Sequence, residues 1–281
     1  MKRILLILAV LCMLPVICAA EEELSILDMD ELIIEEYDAD DYDAFWVFPV
    51  ALEDLDPELI VLANKHYVLD EKYGPSSMVK MKTRKANKDG SNANGGVLKA
   101  PGSGTLQLQT ECAEALVAMC EGAREDGYNL YLKSSYRAYS TQKTMYNNRL
   151  KKNNGKDDGW VAKPGTSDHQ TGLGCDVVPK SWYDRAMNEK MAETKECRWM
   201  AEHCQEYGFI LRYPKDKQDV TEINYEPWHM RYVGIPVATY IMENGMCLEE
   251  FNDELQAAIA VYLENGGDRT AVEALIREPN N

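Results

Sequence analysis

The order of apolar and polar residues along the chain predicts helices and short strands that do not alternate regularly. Apolar residues recur at helical spacing from Thr110 until Asp126 and Gly127 end the pattern. Further helical patterns lie at 140–150, 194–207, 236–245, 248–267 and 268–278. Patterns typical of strands lie at 128–133, 174–178 and 209–213. Because no regular strand–helix–strand repeat joins these elements, they predict an α+β fold.

Two stretches before the first helix have weaker patterns. The apolar segment 59–65, LIVLANK, predicts the beginning of a helix. Residues 87–104 are rich in Gly, Asn and Ser and predict a loop. We interpret residues 58–243 as a folded domain and residues 244–281 as a C-terminal helical extension.

The first twenty residues have the pattern of an export signal. Lys2 and Arg3 precede an apolar run at 4–17, and small residues stand before a cleavage site ahead of Glu21. A membrane anchor is the weaker alternative, because a helix needs about 20 apolar residues to cross a bilayer. A lipid-modified Cys18 is a further alternative, although Ile17 is bulkier than such a site normally accepts. We therefore expect an exported protein that meets the membrane only through this segment, if it stays uncleaved.

Negative charge is concentrated directly after the predicted signal. The chain has a formal net charge of −17, and residues 21–58 hold sixteen Asp or Glu with no Lys or Arg. We interpret 21–57 as an acidic linker with one short docking element, and a partner-binding acidic motif is the alternative. The remaining sequence is close to neutral and has no basic stripe, so nucleic acid is not an expected partner.

Six cysteines follow the predicted signal, and the sequence favours buried thiols. Cys112 and Cys120 share one predicted helix, as do Cys197 and Cys204. At about 1.5 Å per residue, each pair is separated by about 10–12 Å along its helix axis. That is too far for a disulfide within a helix. Export would permit other pairings, but an even count does not define them.

An acidic residue interrupts the predicted strand in the segment 165–178, GTSDHQTGLGCDVV. Asp176 lies in this strand, seven residues after His169. Gly172 and Gly174 allow a close turn between the two positions. A buried carboxylate is costly unless a cation or hydrogen bonds compensate it. A metal ion bound by His169 and Asp176 would provide that cation, and backbone N–H donors are the alternative without a metal.

A third candidate ligand stands in the segment 226–229, EPWH. A catalytic zinc site uses about three protein ligands and keeps one position open for water. His169, Asp176 and His229 provide that number. Glu226 would then lie close to the metal without binding it, where a general base is needed.

Three motifs resemble those of one enzyme family. SDHQTGLGCD (167–176) resembles S-x-H-x-x-G-x-A-x-D, EPWHMRYVG (226–234) resembles E-x-W-H, and SSYRAYSTQ (134–142) resembles S-G-Y-R-S-x-x-x-Q. These are motifs of the VanY-type D-alanyl-D-alanine carboxypeptidases, and the resemblance covers about residues 58–243. The group also includes lysostaphin-type enzymes and the hedgehog signalling domain. The resemblance implies a small, mainly antiparallel central sheet flanked by helices, with terminal helices added here.

The resemblance implies a Zn²⁺ enzyme and roles for particular residues. His169, Asp176 and His229 match the family's zinc ligands, and Glu226 matches its catalytic base. The implied reaction is hydrolysis of the C-terminal D-Ala from peptidoglycan stem peptides at the cell wall. Both a D,D-cut and an L,D-cut remain open.

Four further residues match positions that contact substrate in the family. Arg137 matches the residue that holds the terminal carboxylate or polarises the scissile carbonyl, and its planar fork suits bidentate contact. Gln142, Ser167 and Trp228 match other substrate contacts. Each of these three has an ordinary alternative, as a helix-surface, turn or core residue.

The sequence also departs from the family pattern. Gly174 replaces an Ala, Ser135 and Ala138 replace a Gly and a Ser beside Arg137, and Glu222 stands where Gly is expected in T-G-I-x-Y-E-P-W-H. The last change affects the loop before Glu226, so it bears on substrate detail more than on catalysis.

Other reaction classes fit the sequence less well. S-x-x-K occurs at 77–80 and 140–143, but no K-T-G accompanies it, which argues against a serine carboxypeptidase. No H-E-x-x-H is present either. The remaining alternatives are an endopeptidase of crosslinked stem peptides and a non-catalytic zinc-containing cell-wall binding module. Arg137 disfavours the first, and the complete set of ligands with Glu226 disfavours the second.

Overall fold

The computed structural model describes residues 45–87 and 95–280. The predicted signal segment 1–20 and most of the predicted acidic linker 21–57 lie outside the described residues. Within the described residues, no helix has both the length and the apolar composition that crossing a membrane requires.

A six-stranded mixed sheet lies at the centre of the fold. The strands of the described residues are β1 (Met78–Lys80), β2 (Thr83–Arg84), β3 (Val97–Lys99), β4 (Gln107–Gln109), β5 (Leu130–Ser134), β6 (Gly174–Pro179), β7 (Phe209–Leu211) and β8 (His229–Tyr232). The central sheet has the order β2-β3-β5-β6-β8-β7, and β1 pairs with β4. Only the pairs β2-β3 and β3-β5 are parallel, so the predicted α+β fold with a mainly antiparallel sheet is confirmed.

Helices flank this sheet, and further helices come after its last strand in the sequence. They are α1 (Thr110–Glu125), α2 (Tyr139–Lys152), α3 (Lys195–His203), α4 (Gln218–Thr221), α5 (Ile235–Glu243), α6 (Leu248–Glu264) and α7 (Arg269–Val272). Helix α1 buries Cys112, Leu116 and Met119 at the predicted helical spacing. Helix α3 begins where the Thr194 hydroxyl accepts a hydrogen bond from the N–H of Cys197, 3.3 Å away.

Two of the weaker predictions are wrong. Residues 59–65 are not helical, because the carbonyl groups of Leu59 and Val61 accept hydrogen bonds from Arg231 instead of from a following helical turn. The predicted loop at 87–104 contains β3, which pairs with β2 on one side and with β5 on the other. In both cases the partner comes from a distant part of the chain.

Two apolar clusters form the core of the described residues. The first packs α1 and α3 against the sheet. The second joins residues from the segment 48–62 with α5, α6 and residues of the last turns, including Phe48, Val237, Phe251, Leu255 and Val272. The boundaries at 57/58 and 243/244 stay predictions, and the second cluster contains residues from both sides of each.

The six cysteines from Cys112 to Cys247 are buried free thiols, as expected for small apolar core residues. Burial raises the pKa of the Cys120 and Cys204 thiols to about 12. These thiols are therefore protonated at neutral pH and serve as packing groups.

Candidate active site

The central strand of the sheet places one carboxylate between two functional segments. On β6, Asp176 pairs in register with His229 of β8 on one side and with Ser134 of β5 on the other. His169 lies in the short 3₁₀ turn Asp168–Thr171 that precedes β6. Gly172 ends this turn at φ 72°, and a Cβ there would lie 2.7 Å from the sulfur of Met78. The turn between His169 and β6 therefore requires glycine at position 172.

His169, Asp176 and His229 form a compact buried cluster. The Nε2 atom of His169 lies 3.4 Å from Oδ2 of Asp176, and Nδ1 of His229 lies 3.1 Å from Oδ1. One ligand atom from each residue can be chosen so that all lie within 4.8 Å of one another. The structure therefore brings together the three residues that the sequence predicts as metal ligands.

Hydrogen bonding defines the protonation of His169. Its Nδ1 lies 2.7 Å from the carbonyl oxygen of Ser135, and a carbonyl can only accept, so Nδ1 carries a proton. Burial and the charge of Arg137 lower the pKa of His169 to about 4, which leaves the imidazole neutral at pH 7. The lone pair of Nε2 then faces the carboxylate of Asp176.

The cluster fits a metal cation. Burial would raise the pKa of Asp176, but interactions with His169 and His229 outweigh burial and hold the pKa well below 3.8, so the carboxylate is ionised at pH 7. A lone pair and an ionised carboxylate thus face each other without a proton between them. The Nδ1 atom of His229 faces the cluster, 3.1 Å from Asp176 and 3.6 Å from Glu226. Two imidazoles and a carboxylate are a donor set typical of catalytic zinc.

Glu226 lies beside this cluster with the pKa of an acid–base group. Its Oε2 is 3.6 Å from Nδ1 of His229, and its side chain is 12% exposed. Burial and the charge of Asp176 raise the pKa of Glu226 well above 4.5, although Arg137 opposes the shift. A raised pKa makes the carboxylate a stronger proton acceptor, which suits a general base.

Hydrogen bonds hold Arg137 beside the cluster. Its backbone N–H donates to the carbonyl of His169 at 2.9 Å. Its Nη1 donates to Oε1 of Gln142 at 2.6 Å, and the buried amide of Gln142 donates in turn to the carbonyl of Ala162. Burial lowers the pKa of Arg137, and the charges of Asp176 and Glu226 offset only part of this shift. Gln142 therefore orients the guanidinium and is not a surface residue.

All the predicted site residues line one cavity of about 350 Å³. Ser167 and Trp228 are buried in its wall, and the ring of Trp228 stacks on Trp160 with centroids 6.3 Å apart and an interplanar angle of 15°. The structure thus places these residues together, while their individual roles stay predictions.

The sequence predictions missed several residues that line the same cavity. They include Met145, Arg149, Trp160, Met187, Tyr213 and Ile223. Tyr213 is buried with its ring centroid 5.0 Å from that of His229. A tryptophan within the polar loop 151–160 was a detectable signal for Trp160. Nothing local distinguishes the two methionines from core residues.

The fold and site define a class of protein. A buried cluster of two histidines and an aspartate, with a carboxyl group and an arginine in the same cavity, is the arrangement of a metal-dependent hydrolase. The VanY family, described as D-alanyl-D-alanine carboxypeptidase, matches residues 105–235. The Bacillus subtilis protein YodJ is 35% identical over 199 residues, which cover 70% of this chain and 68% of YodJ. The chain belongs to the VanY family of D-alanyl-D-alanine carboxypeptidases.

Other relatives combine sequence and structural similarity. A D-alanyl-D-alanine carboxypeptidase of Enterococcus faecalis is 37% identical over 141 residues, which cover 47% of this chain and 50% of that protein. The solved structure of the LdcB LD-carboxypeptidase is 36% identical, with a TM-score of 0.58, and the match covers 70% of this chain and 87% of LdcB. A VanY D,D-pentapeptidase from a VanB-type resistance cassette, solved in complex with Zn(II), is 27% identical with a TM-score of 0.52, over 69% of this chain and 98% of that one.

Proposed function

We propose that the protein is a zinc-dependent carboxypeptidase that removes the C-terminal D-Ala from peptidoglycan stem peptides. The observation that carries this proposal is the single cavity that joins the cluster of His169, Asp176 and His229 to Glu226 and Arg137. Relatives support it, since one is solved with Zn(II) and VanYB is solved with D-alanine-D-alanine.

The residues of the cavity divide the work of hydrolysis. His169, Asp176 and His229 would hold the zinc, which supplies a Lewis acid for the scissile carbonyl and acidifies water when bound. Glu226 takes the proton of the attacking water and returns it to the leaving amine of D-Ala. Arg137, oriented by Gln142, binds the terminal carboxylate of the peptide and so favours cleavage of the last bond.

The test is mass spectrometry of stem peptides incubated with the purified protein, with zinc and with a chelator. Pentapeptide and tetrapeptide stems are offered together, and crosslinked stems are offered in a parallel incubation. Zinc-dependent loss of one alanine from the pentapeptide defines a D,D-carboxypeptidase, and loss from the tetrapeptide defines an L,D-carboxypeptidase. Cleavage confined to crosslinked stems would replace the proposal with an endopeptidase, and zinc binding without cleavage would replace it with a binding module.

We further propose that the protein is exported and acts at the cell wall. Two observations support this location. Residues 1–20 have the pattern of a cleavable signal, and the proposed substrate lies outside the cytoplasm. Cell fractionation followed by N-terminal sequencing of the recovered protein tests it, and we expect a chain that begins at Glu21. Recovery of the uncut chain in the cytoplasm would contradict the proposal.

A further inference from the structure

A buried charge network lies directly behind the candidate metal site. Asp168 accepts hydrogen bonds from Nε of Arg212 at 2.6 Å and from Nη1 of Arg231 at 2.7 Å. Arg212 also forms two bonds of 2.7 Å to the carboxylate of Glu249. Asp168, Arg212 and Arg231 are completely buried, and Glu249 is 6% exposed. We call these four residues the Asp168 network.

The Asp168 network joins the backbone segments that carry both histidines. Asp168 immediately precedes His169 in the 3₁₀ turn. Arg231 follows His229 by two positions on β8, and the backbone N–H of Arg212 donates to the carbonyl of His229 at 3.2 Å. One carboxylate therefore crosslinks the turn of the first histidine to the strand of the second.

The charges in the network balance one another. Two guanidinium groups face two carboxylates, and Nη2 of Arg231 donates its remaining bonds to the carbonyls of Leu59 and Val61. A buried charge that loses its partner is strongly unfavourable. Without Glu249, Asp168 alone would face two buried guanidinium groups, so Glu249 balances the charge of Arg212 where it contacts Asp168. Glu249 lies on α6, beyond residues 105–235 that the family matches.

Strand β6 has a glycine, Gly174, where it lies close to Asp168. Gly174 stands where the family motif has Ala, and a Cβ built at Gly174 would lie 3.0 Å from Cβ of Asp168 and 3.1 Å from its carbonyl carbon. An alanine at 174 would push Asp168 by a few tenths of an ångström. The glycine thus makes room for the network in this chain.

We infer that Asp168 is a positioning residue of the metal site, which fixes the separation of His169 and His229, and that Glu249 of α6 maintains it from outside the family segment. Asp168 does not touch the metal or the substrate and acts through the backbone of both histidine segments. The identity of the metal as zinc rests on the proposed function.

Metal affinity tests this inference independently of activity. The variants are Glu249→Gln, Asp168→Asn and Gly174→Ala in the full protein. The control is Glu250→Gln, which alters the neighbouring carboxylate on α6, where it pairs with Lys217 near the surface. Zinc affinity is measured by competition with a chromophoric chelator, and Co²⁺ substitution reports ligand geometry through its visible absorption spectrum.

Since loss of a group that orients metal ligands lowers metal affinity by about 10–100-fold, we expect losses in this range for Asp168→Asn and Glu249→Gln and a smaller loss for Gly174→Ala, with an altered Co²⁺ spectrum in all three and no change for the control. Gly174→Ala keeps all four charged residues. It therefore tests the inference even if Asp168→Asn and Glu249→Gln do not fold. Wild-type zinc affinity and an unchanged Co²⁺ spectrum in folded variants would overturn the inference, whatever their melting temperatures. Failure of the wild-type protein to bind zinc would instead contradict the proposed function.

Discussion

At the scale of single residues, the environment of Glu226 defines its expected role. The carboxyl group is mostly buried, and the nearby Asp176 raises its pKa further. Because a general base contributes about 10²–10⁴-fold to a rate, Glu226→Gln should lower kcat by this factor and retain zinc. Steady-state kinetics and metal analysis of the purified variant measure both quantities.

The matched control for this prediction is Glu202→Gln, which alters an exposed carboxylate on α3. It should retain wild-type kcat. Near-normal turnover in Glu226→Gln would remove Glu226 from the mechanism.

Arg137 makes a separate prediction about substrate selection. Arg137→Lys keeps the positive charge and removes the planar fork. A hydrogen bond to a charged group contributes about 1.5–3 kcal/mol, so kcat/KM for peptides with a free carboxylate should fall about 10–100-fold. The comparison substrate is the same peptide with an amidated C-terminus, which the wild-type enzyme should cleave poorly. Equal cleavage of both peptides by the wild-type enzyme would show that Arg137 does not recognise the terminal carboxylate.

At the scale of elements, the end of α4 shows how this chain departs from its family. Glu222 follows α4 in the left-handed region at φ 57°, at the position where the family motif has Gly. Its side chain forms an exposed ion pair with Lys65. The loop that leads to Ile223 and Glu226 therefore keeps the backbone that glycine would adopt, despite the larger residue.

This conformation predicts a difference between two substitutions. Glu222→Gly and Glu222→Ala both remove the ion pair, so their comparison isolates the backbone. The left-handed conformation costs an L-residue about 1–2 kcal/mol, so the glycine variant should be more stable than the alanine variant by about 1 kcal/mol. Urea denaturation of both variants measures the difference. Equal stabilities would mean that the loop changes conformation when Glu222 is replaced.

Elements with long apolar patterns could be predicted from the sequence, and those formed by distant pairing could not. Helix α1 and strand β6 have patterns that persist over several residues. Strand β2 has only two residues, and β3 lies in a Gly- and Asn-rich stretch, so their positions depend on neighbours elsewhere in the chain. The same limit applies to the non-helical segment at 59–65, whose carbonyls bind Arg231.

The candidate site follows the same division. The spacing of His169 and Asp176 and the EPWH segment already indicated the metal cluster. Tyr213 is the last residue of the predicted strand 209–213 and has no distinguishing local pattern, so its place in the cavity depends on tertiary packing. Arg212 and Glu249 are 37 residues apart in the sequence, so no local periodicity could reveal their ion pair.

At the scale of the whole molecule, metal binding and folding are expected to be linked. A ligand that binds only the folded state stabilises it by about 2.7 kcal/mol at a free concentration of about 100 times Kd. At about 2–4 °C per kcal/mol for a domain of this size, zinc should raise Tm by about 5–10 °C over the chelated protein. Differential scanning calorimetry measures the shift. In Asp176→Ala the zinc and chelator curves should coincide, and coincidence in the wild-type protein would contradict a zinc site.

The second apolar cluster and Glu249 have a consequence for how this protein can be divided. The match to the VanY family covers residues 105–235, yet Arg212 inside it pairs with a carboxylate from α6, and Val237 and Phe251 share one cluster. A fragment cut to residues 105–235 would keep every proposed catalytic residue and lose one of the two carboxylate partners of the buried Arg212. A transplant of residues 105–235 into another scaffold would therefore also need α6. The part of this chain that supports the site is therefore longer than the segment 105–235 that matches the family.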